Sequence, residues 1–285
     1  MRKCGFFWIS VIISFLMFGC INEDVVEETN ESEHVKEEVQ QKEDDEIEEV
    51  TDNEVKDFDQ YSRSPNEWGE NVSGVKRKIK TDKEIIALTF DACGGRYGSG
   101  FDEELINFLI EEEVPATLFI NKRWIDENRE QFLKLTNNSL FQIENHGTDH
   151  LPLSVNGQAA WGIKGTNSPE DVYNEVIGNQ LEIERLTGRA PTLFRSGTAF
   201  YDDISVQIVE DMGLQVVNFD VLGDAGATFT AEQVREALLS ANKGSIALLH
   251  MNQPQSGTRE GVMMAIPLLR EKGFEFVTLD GYDLE

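Results

Sequence analysis

The sequence predicts an α/β fold, a deformed (β/α)7 barrel of parallel strands occupying residues 67–285, and three observations predict it. Seven short apolar runs rich in β-branched and aromatic residues recur near residues 85–90, 116–120, 141–144, 192–194, 215–219, 245–249 and 274–279. Amphipathic stretches with recognisable helix ends separate most of them. Strands alternating with helices build right-handed βαβ units and a parallel sheet. A doubly wound open sheet is the structural alternative, but no Gly-rich phosphate loop follows the first run.

The helical stretches carry their own punctuation. Ser168-Pro169 caps a helix and supplies Pro at its first position, and Gly188 closes it. Thr230 with Gln233 three residues later reads as a capping box, with the helix running towards Gly244. The stretches 202–212 and 259–272 each run into a Gly, the expected stop.

Chemistry in a parallel barrel collects where strands end, because the loops there are free to vary. The first six runs end in Asp91, Asn121, Asn145-His146, Arg195, Asp220 and His250. Residues 67–285 hold three histidines: two stand at strand ends and His150 lies four positions past one. Packing and capping explain one or two such placements, but poorly explain all of them.

His146-Gly-Thr-Asp-His150 is the sharpest local feature. Two imidazoles four residues apart can face one point, and neutral imidazole is a common ligand of Zn and related ions. A metal so held polarises a carbonyl and acidifies water. Asp91 is then available as general base and His250 as general acid. The residues alone reach metal-assisted hydrolysis of an ester or amide.

At these residues the chain resembles the polysaccharide deacetylase family, the NodB-homology group of carbohydrate esterases, from about Ile85 to Leu279. Leu88-Thr-Phe-Asp91 is similar to the family's first motif, whose Asp is the catalytic base. His146-Gly-Thr-Asp-His150 resembles the second, whose two His bind the metal. Phe194-Arg195-Ser-Gly matches the third at its Arg, Asp224 lies nearest the Asp of the fourth, and Leu248-Leu-His250 is similar to the fifth, whose His is the general acid. The resemblance implies removal of acetyl groups from N-acetylated sugars by a divalent metal, Zn or Co. It also implies that Arg195 and Asp224 orient and tune base and acid.

The first motif of the family usually carries a second Asp directly after the base, and that Asp completes the metal site. Here the position is Ala92, followed by Cys93-Gly94-Gly95. Three outcomes are open: Asp91 itself ligates, Cys93 supplies a thiolate, or the site binds metal weakly and the domain is a poor enzyme. Asn121 and Trp161, the latter in the long loop 151–167, are the candidates for substrate contact.

The remainder of the 285-residue chain reads as a leader and a spacer. Arg2-Lys3, an apolar run and Gly19-Cys20 have the shape of an export signal and resemble a bacterial lipoprotein leader with Cys20 as the lipidated residue. An uncleaved anchor helix is the alternative; either places the domain outside the cytoplasmic membrane. Residues 21–66 read as an acidic, disordered linker: 21–60 hold 18 acidic residues and 3 Lys. Of the formal charge of −28, that segment takes −15, the leader's two basic residues add +2, and 61–285 keep −15. Such acidity argues against nucleic acid as a partner. The expected partners are an acetylated glycan, such as peptidoglycan or a chitin-like polymer, and the membrane through a lipid anchor. Two other functions compete with the deacetylase: a non-catalytic glycan-binding lipoprotein on the same scaffold, and an amidohydrolase acting on a non-sugar C–N bond.

Overall fold

The structure, a computed structural model, describes residues 57–285; the expected leader, Cys20 and the linker up to residue 56 lie outside the described residues. One sheet organises the domain. Its strands are β1 (Ile85–Ala92), β2 (Ala116–Ile120), β3 (Phe141–Asn145), β4 (Leu193–Phe194), β5 (Gln215–Val216), β6 (Val221–Leu222), β7 (Ser245–His250) and β8 (Glu275–Phe276). They run in the order β6-β7-β1-β2-β3-β4-β5, with β8 pairing the start of β1, and every pairing is parallel. The sheet curls into a half-barrel with helices outside it. Its two ends, β5 and β6, are not laddered to each other. Residues at the start of the domain lie at this seam, where Lys76 bridges Val217 and Lys78 bridges Ser245.

The period of two along each strand sorts its side chains into two layers. Ile86, Leu88, Phe90 and Ala92 of β1 join the apolar cluster beneath the helices, with Leu118, Ile120, Ala247 and Leu249 of the neighbouring strands. Ile85 and Ala87 join a second cluster inside the curl, with Phe119, Ile246 and Leu248. All eight residues of β1 are buried, which is why the run reads as continuously apolar rather than alternating. By the same parity Thr89 and Asp91 belong to the inner face. The strand pattern thus delivers Asp91 to the mouth of the curl and Ala92 to the packing layer behind it.

The helices are α1 (Glu103–Glu111), α2 (Lys122–Glu127), α3 (Arg129–Thr136), α4 (Pro169–Thr187), α5 (Asp203–Asp211), α6 (Ala231–Leu239) and α7 (Thr258–Glu271). The expected ends are present. The Ser168 side chain accepts from Asp171 N, and Gly188 takes the left-handed conformation at φ 68°. Thr230 and Gln233 form a reciprocal capping box, as do Asp202 and Ser205.

Three sequence expectations need correction. The acidic linker was expected to reach residue 66, but 57–66 pack on the domain: Tyr61 is buried and donates to Asp211 Oδ2 at 2.8 Å, and Arg63 pairs with Asp203 at 2.6 Å. One buried aromatic and one ion pair outweigh the polarity of that stretch. The fifth apolar run, 215–219, is a strand only over β5 (Gln215–Val216), Val217 bridging Lys76 at the seam, and a separate strand, β6, follows beyond the run. Helix α6 ends at Leu239, short of Gly244, because Gly244 N already donates to Ile85 O.

Helix α7 lies against α6 through Gly261, where an added Cβ would stand 2.4 Å from Val234 Cβ. Gly261→Ala is therefore expected to destabilise the domain by about 1–3 kcal/mol through overpacking, despite the better helix propensity of Ala. Urea unfolding at fixed pH measures it, and an unchanged midpoint would contradict this packing.

Candidate active site

The strand ends converge as the spacing predicts. Asp91 and His250 are register partners on β1 and β7. His146 follows β3, and Arg195 follows β4, its N–H donating to Asn145 O.

Arg195 is fully buried and organises this mouth. Its guanidinium donates to Asp91 Oδ1 at 2.8 Å, Thr89 Oγ1 at 2.9 Å, Val217 O at 3.1 Å and Asn218 O at 3.0 Å. Its carbon stands 4.1 Å from the centroid of the Phe119 ring. The other end of the residue holds His146, whose Nδ1 lies 2.9 Å from Arg195 O. A carbonyl only accepts, so Nδ1 carries the proton and Nε2 faces Asp91 Oδ2 at 3.5 Å and Cys93 Sγ at 3.8 Å. Burial alone would push His146 down, but Asp91 leads the groups that hold it above the ordinary histidine value.

The second half of the mouth is the His250–Asp224 pair. Asp224 Oδ1 lies 2.9 Å from His250 Nδ1, and Oδ2 accepts from His250 N at 2.7 Å and Thr258 Oγ1 at 2.9 Å. Burial opposes charge on both. The pair overcomes it, so His250 titrates well above its usual range and Asp224 below its own. An imidazole held towards its charged form in this way is suited to give a proton.

Cys93, His146 and His150 each offer one ligand atom, and these atoms lie within 4.8 Å of one another. The two imidazole rings meet edge to face with centroids 5.0 Å apart. His150 Nε2 is buried without a hydrogen-bond partner. An imidazole nitrogen left so is costly unless it ligates something, so these residues fit a divalent ion. Burial pushes the Cys93 thiol up, but the imidazoles of His150, His146 and His250 outweigh it and hold the thiol well below its ordinary value.

Comparison with known proteins agrees with this geometry. Residues 78–217 match the model of the polysaccharide deacetylase family. Three solved structures share the fold. A family 4 carbohydrate esterase pseudoenzyme from Bacillus anthracis is 20% identical with a TM-score of 0.59, over 71% of this chain and 66% of that one. The family 4 carbohydrate esterase PdaA of Bacillus subtilis is 19% identical with a TM-score of 0.60, over 73% and 83%. A family 4 acetyl xylan esterase from Clostridium thermocellum, in complex with a cobalt ion, is 26% identical with a TM-score of 0.55, over 68% and 88%. The uncharacterized protein YlxY of Bacillus subtilis (strain 168) is 22% identical over 206 residues, 71% of this chain. The match spans 58% of YlxY, under two thirds of its length. Together these comparisons show the fold of the family 4 carbohydrate esterases and, over residues 78–217, similarity to the polysaccharide deacetylase family.

Within that deacetylase fold, the expected set Asp91, His146, His150, Arg195, Asp224 and His250 comes together. Asn121 does not join it as a substrate contact. It is fully buried, its Oδ1 accepts from Arg123 N, and its Nδ2 donates to His146 O and Gly147 O. It caps α2 and holds the loop that bears His146. Asp220 lies at the opposite end of β7, accepting from Ser245 Oγ and Ile246 N. Trp161 is 76% exposed at the turn between two short strands, Ala159–Ala160 and Ile163–Lys164, edge-on to Phe200 at 5.7 Å.

Sequence reasoning missed the residues that hold the loops of this mouth. Glu175 of α4 accepts from Asp149 N and Leu151 N, on either side of His150, and its backbone oxygen accepts from Thr148 N. Burial pushes its carboxyl up to about 7. Asn145 and Asn179 form a buried amide pair: Asn179 Nδ2 donates to Asn145 Oδ1, which also takes Gly147 N. Gly197 lies against His150, where an added Cβ would be 2.4 Å from the His150 carbonyl carbon. A signal for Glu175 existed, since it sits on the apolar stripe Val172, Val176, Ile183 of an otherwise ordinary amphipathic helix.

Removing one partner of a buried pair strands the other charge. Arg195→Met is expected to cost about 3–5 kcal/mol of stability in urea unfolding, and Arg195→Lys to recover little of it. A loss under about 1 kcal/mol in Arg195→Met would show that Asp91 does not depend on this clamp.

Proposed function

We propose that this chain is a metal-dependent hydrolase that removes N-acetyl groups from a cell-surface glycan such as peptidoglycan or a chitin-like polymer, working outside the cytoplasmic membrane on a lipid anchor at Cys20. The observation that carries the chemistry is the placement of two differently prepared proton-transfer groups beside one imidazole pair. Asp91 has one oxygen fixed by Arg195 and the other turned to His146, while His250 is charged by Asp224.

His146 and His150 would hold a divalent ion, Zn or Co, which when bound would supply Lewis acidity at the acetamide carbonyl. Asp91 takes the proton from the attacking water as its oxygen bonds to the carbonyl carbon. His250 gives its proton to the sugar nitrogen as the C–N bond breaks, releasing acetate and an amine. Asp224 holds His250 in the tautomer and charge this requires. Arg195 fixes one oxygen of Asp91 and so aims the carboxyl group.

The purified chain loaded with Zn is expected to release acetate from N-acetylglucosamine oligomers, and to stop on chelation or in His146→Ala. Turnover unchanged by both treatments would sink the reading. Ala92, where the family carries a carboxylate, favours a second one, a silent glycan-binding scaffold. That reading predicts saccharide binding with no acetate at any metal loading.

The glycan reading has support at the surface. Trp161 takes a left-handed conformation at φ 54°, followed by Gly162 at φ 79°. A two-residue hairpin turn of that hand favours Asn, Asp or Gly, so a Trp there is strained. The exposed ring continues through Phe200 to Trp68, whose ring centroid lies 5.7 Å beyond. Such an aromatic face suits stacking on a pyranose. Trp161→Ala is expected to weaken oligosaccharide binding roughly two- to tenfold, corresponding to about 0.5–1.5 kcal/mol, with the fold intact. Calorimetry on His146→Ala reads this without turnover, and equal affinity in both chains would remove Trp161 from the substrate path.

A further inference from the structure

We propose that the Cys93 thiolate is the third protein ligand of the ion held by His146 and His150, in the role the family gives to a carboxylate at the position of Ala92. The inference rests on the metal-dependent reading above and deepens it.

Four observations converge on Cys93. The first is parity: Ala92 is fully buried among Leu105, Trp124 and the other side chains beneath the helices, so the next residue is the one that returns to the inner face of Asp91. The second is the loop that follows. Gly94 and Gly95 take φ 69° and 75°, and an added Cβ on Gly94 would stand 2.5 Å from Trp124 N. The chain thus turns tightly over the start of α2, while Arg123 donates to Cys93 O. The third is spacing. An ion bonded tetrahedrally to sulfur at about 2.3 Å and to nitrogen at about 2.0 Å holds those atoms about 3.6 Å apart. Cys93 Sγ and His146 Nε2 are 3.8 Å apart, and the three donor atoms fall within 4.8 Å. The fourth is independent of the cysteine: His150 Nε2 is buried and has no hydrogen-bond partner.

The competing ligand, Asp91, turns Oδ2 to within 3.5 Å of His146 Nε2 but is not part of the converging set. Arg195 holds Oδ1 at 2.8 Å, and among the described residues the three donors that close on one point are Cys93, His146 and His150. Assigning the ion to Cys93 therefore leaves Asp91 available as base. A thiolate also conserves charge, since it brings the same single negative charge as the carboxylate it replaces. It changes softness: Cys with two His selects Zn or Co over Mg, Mn or Ca.

Cobalt tests this directly, because a thiolate bonded to Co(II) absorbs in the near ultraviolet by charge transfer and a carboxylate does not. The full chain titrated with Co(II) is expected to show that band, saturating at one equivalent and abolished by Zn. Cys93→Asp is expected to keep cobalt, with its visible bands, and to lose the near-ultraviolet band. Cys93→Ala is expected to weaken cobalt binding by more than about tenfold. Cys4 and Cys20 are present in all three chains, so the difference reports Cys93 alone. A near-ultraviolet band of equal strength in wild type and Cys93→Asp would overturn the assignment, as would undiminished affinity in Cys93→Ala. No substrate enters the measurement, so it separates from the function. Chelator-sensitive acetate release without the band sinks the ligand and spares the deacetylase; the band without acetate release does the reverse.

Discussion

Arg195 is the constraint on which the mouth of this half-barrel depends. A fully buried guanidinium is tolerable only if its donors are met, and here its donors and planar face are met by groups from three separate stretches of chain. Thr89 and Asp91 come from β1, Val217 and Asn218 from beyond β5, and the Phe119 ring from β2, while its own carbonyl reaches His146 beyond β3. Burying an ion pair is a weak source of net stability, since desolvation offsets most of the attraction. What the pair contributes is specification. One buried residue ties β1, the segment after β5 and the loop after β3 together, so the aim of Asp91 and the tautomer of His146 are set by the same side chain and carbonyl. The Arg fork matters because a single ammonium could not reach all those acceptors in different directions.

Backbone strain is distributed in a way that follows from this. Non-glycine residues with positive φ include His150, Trp161, Ala199, Ala225 and Ala227, and each lies in a loop beyond the strand ends. Such conformations cost of order 1–3 kcal/mol each and persist only where surroundings over-determine them. His150 is over-determined by Glu175, which gathers the amides on either side of it, and by Gly197 pressed against its ring and carbonyl. Ala225 and Ala227 flank Gly226 in the turn that carries Asp224 back to His250. The loops are thus held in poor conformations by good hydrogen bonds, which is how a site avoids rearranging as it works.

These two facts explain what could be read in advance. The alternation of apolar runs and capped helices fixed the fold class because each signal is local: Ser168-Pro169 with Gly188, or Thr230 with Gln233, needs no distant partner to be recognised. Asp91, His146, Arg195 and His250 were legible because a polar residue closing an apolar run is conspicuous. Asn121 looked identical by that test, yet its amide is consumed by the backbone of the next strand's loop. A residue type at a strand end says where the side chain begins, not whom it meets. Glu175, Asn179 and Gly197 escaped for the same reason: their partners lie 24 to 59 residues away in sequence and are identifiable only once the loops are folded.

The substitution at Ala92 shows how little sequence distance separates loss from relocation. A metal ligand directly after the base must leave the strand pattern, because the base occupies the inward position and its neighbour by default faces the helices. In this chain Ala92 obeys the pattern and joins the apolar layer, and the next inward position carries a cysteine steered by Gly94. The donor moves by one residue and the donor atom changes from oxygen to sulfur. The rest of the constellation keeps its geometry: a carboxylate clamped by arginine on one side, an imidazole charged by Asp224 on the other. Arg195 meets Asp91 at 2.8 Å and His250 meets Asp224 at 2.9 Å, so each buried carboxylate of the mouth has a basic partner within hydrogen-bond reach and neither is left uncompensated in the low-dielectric interior.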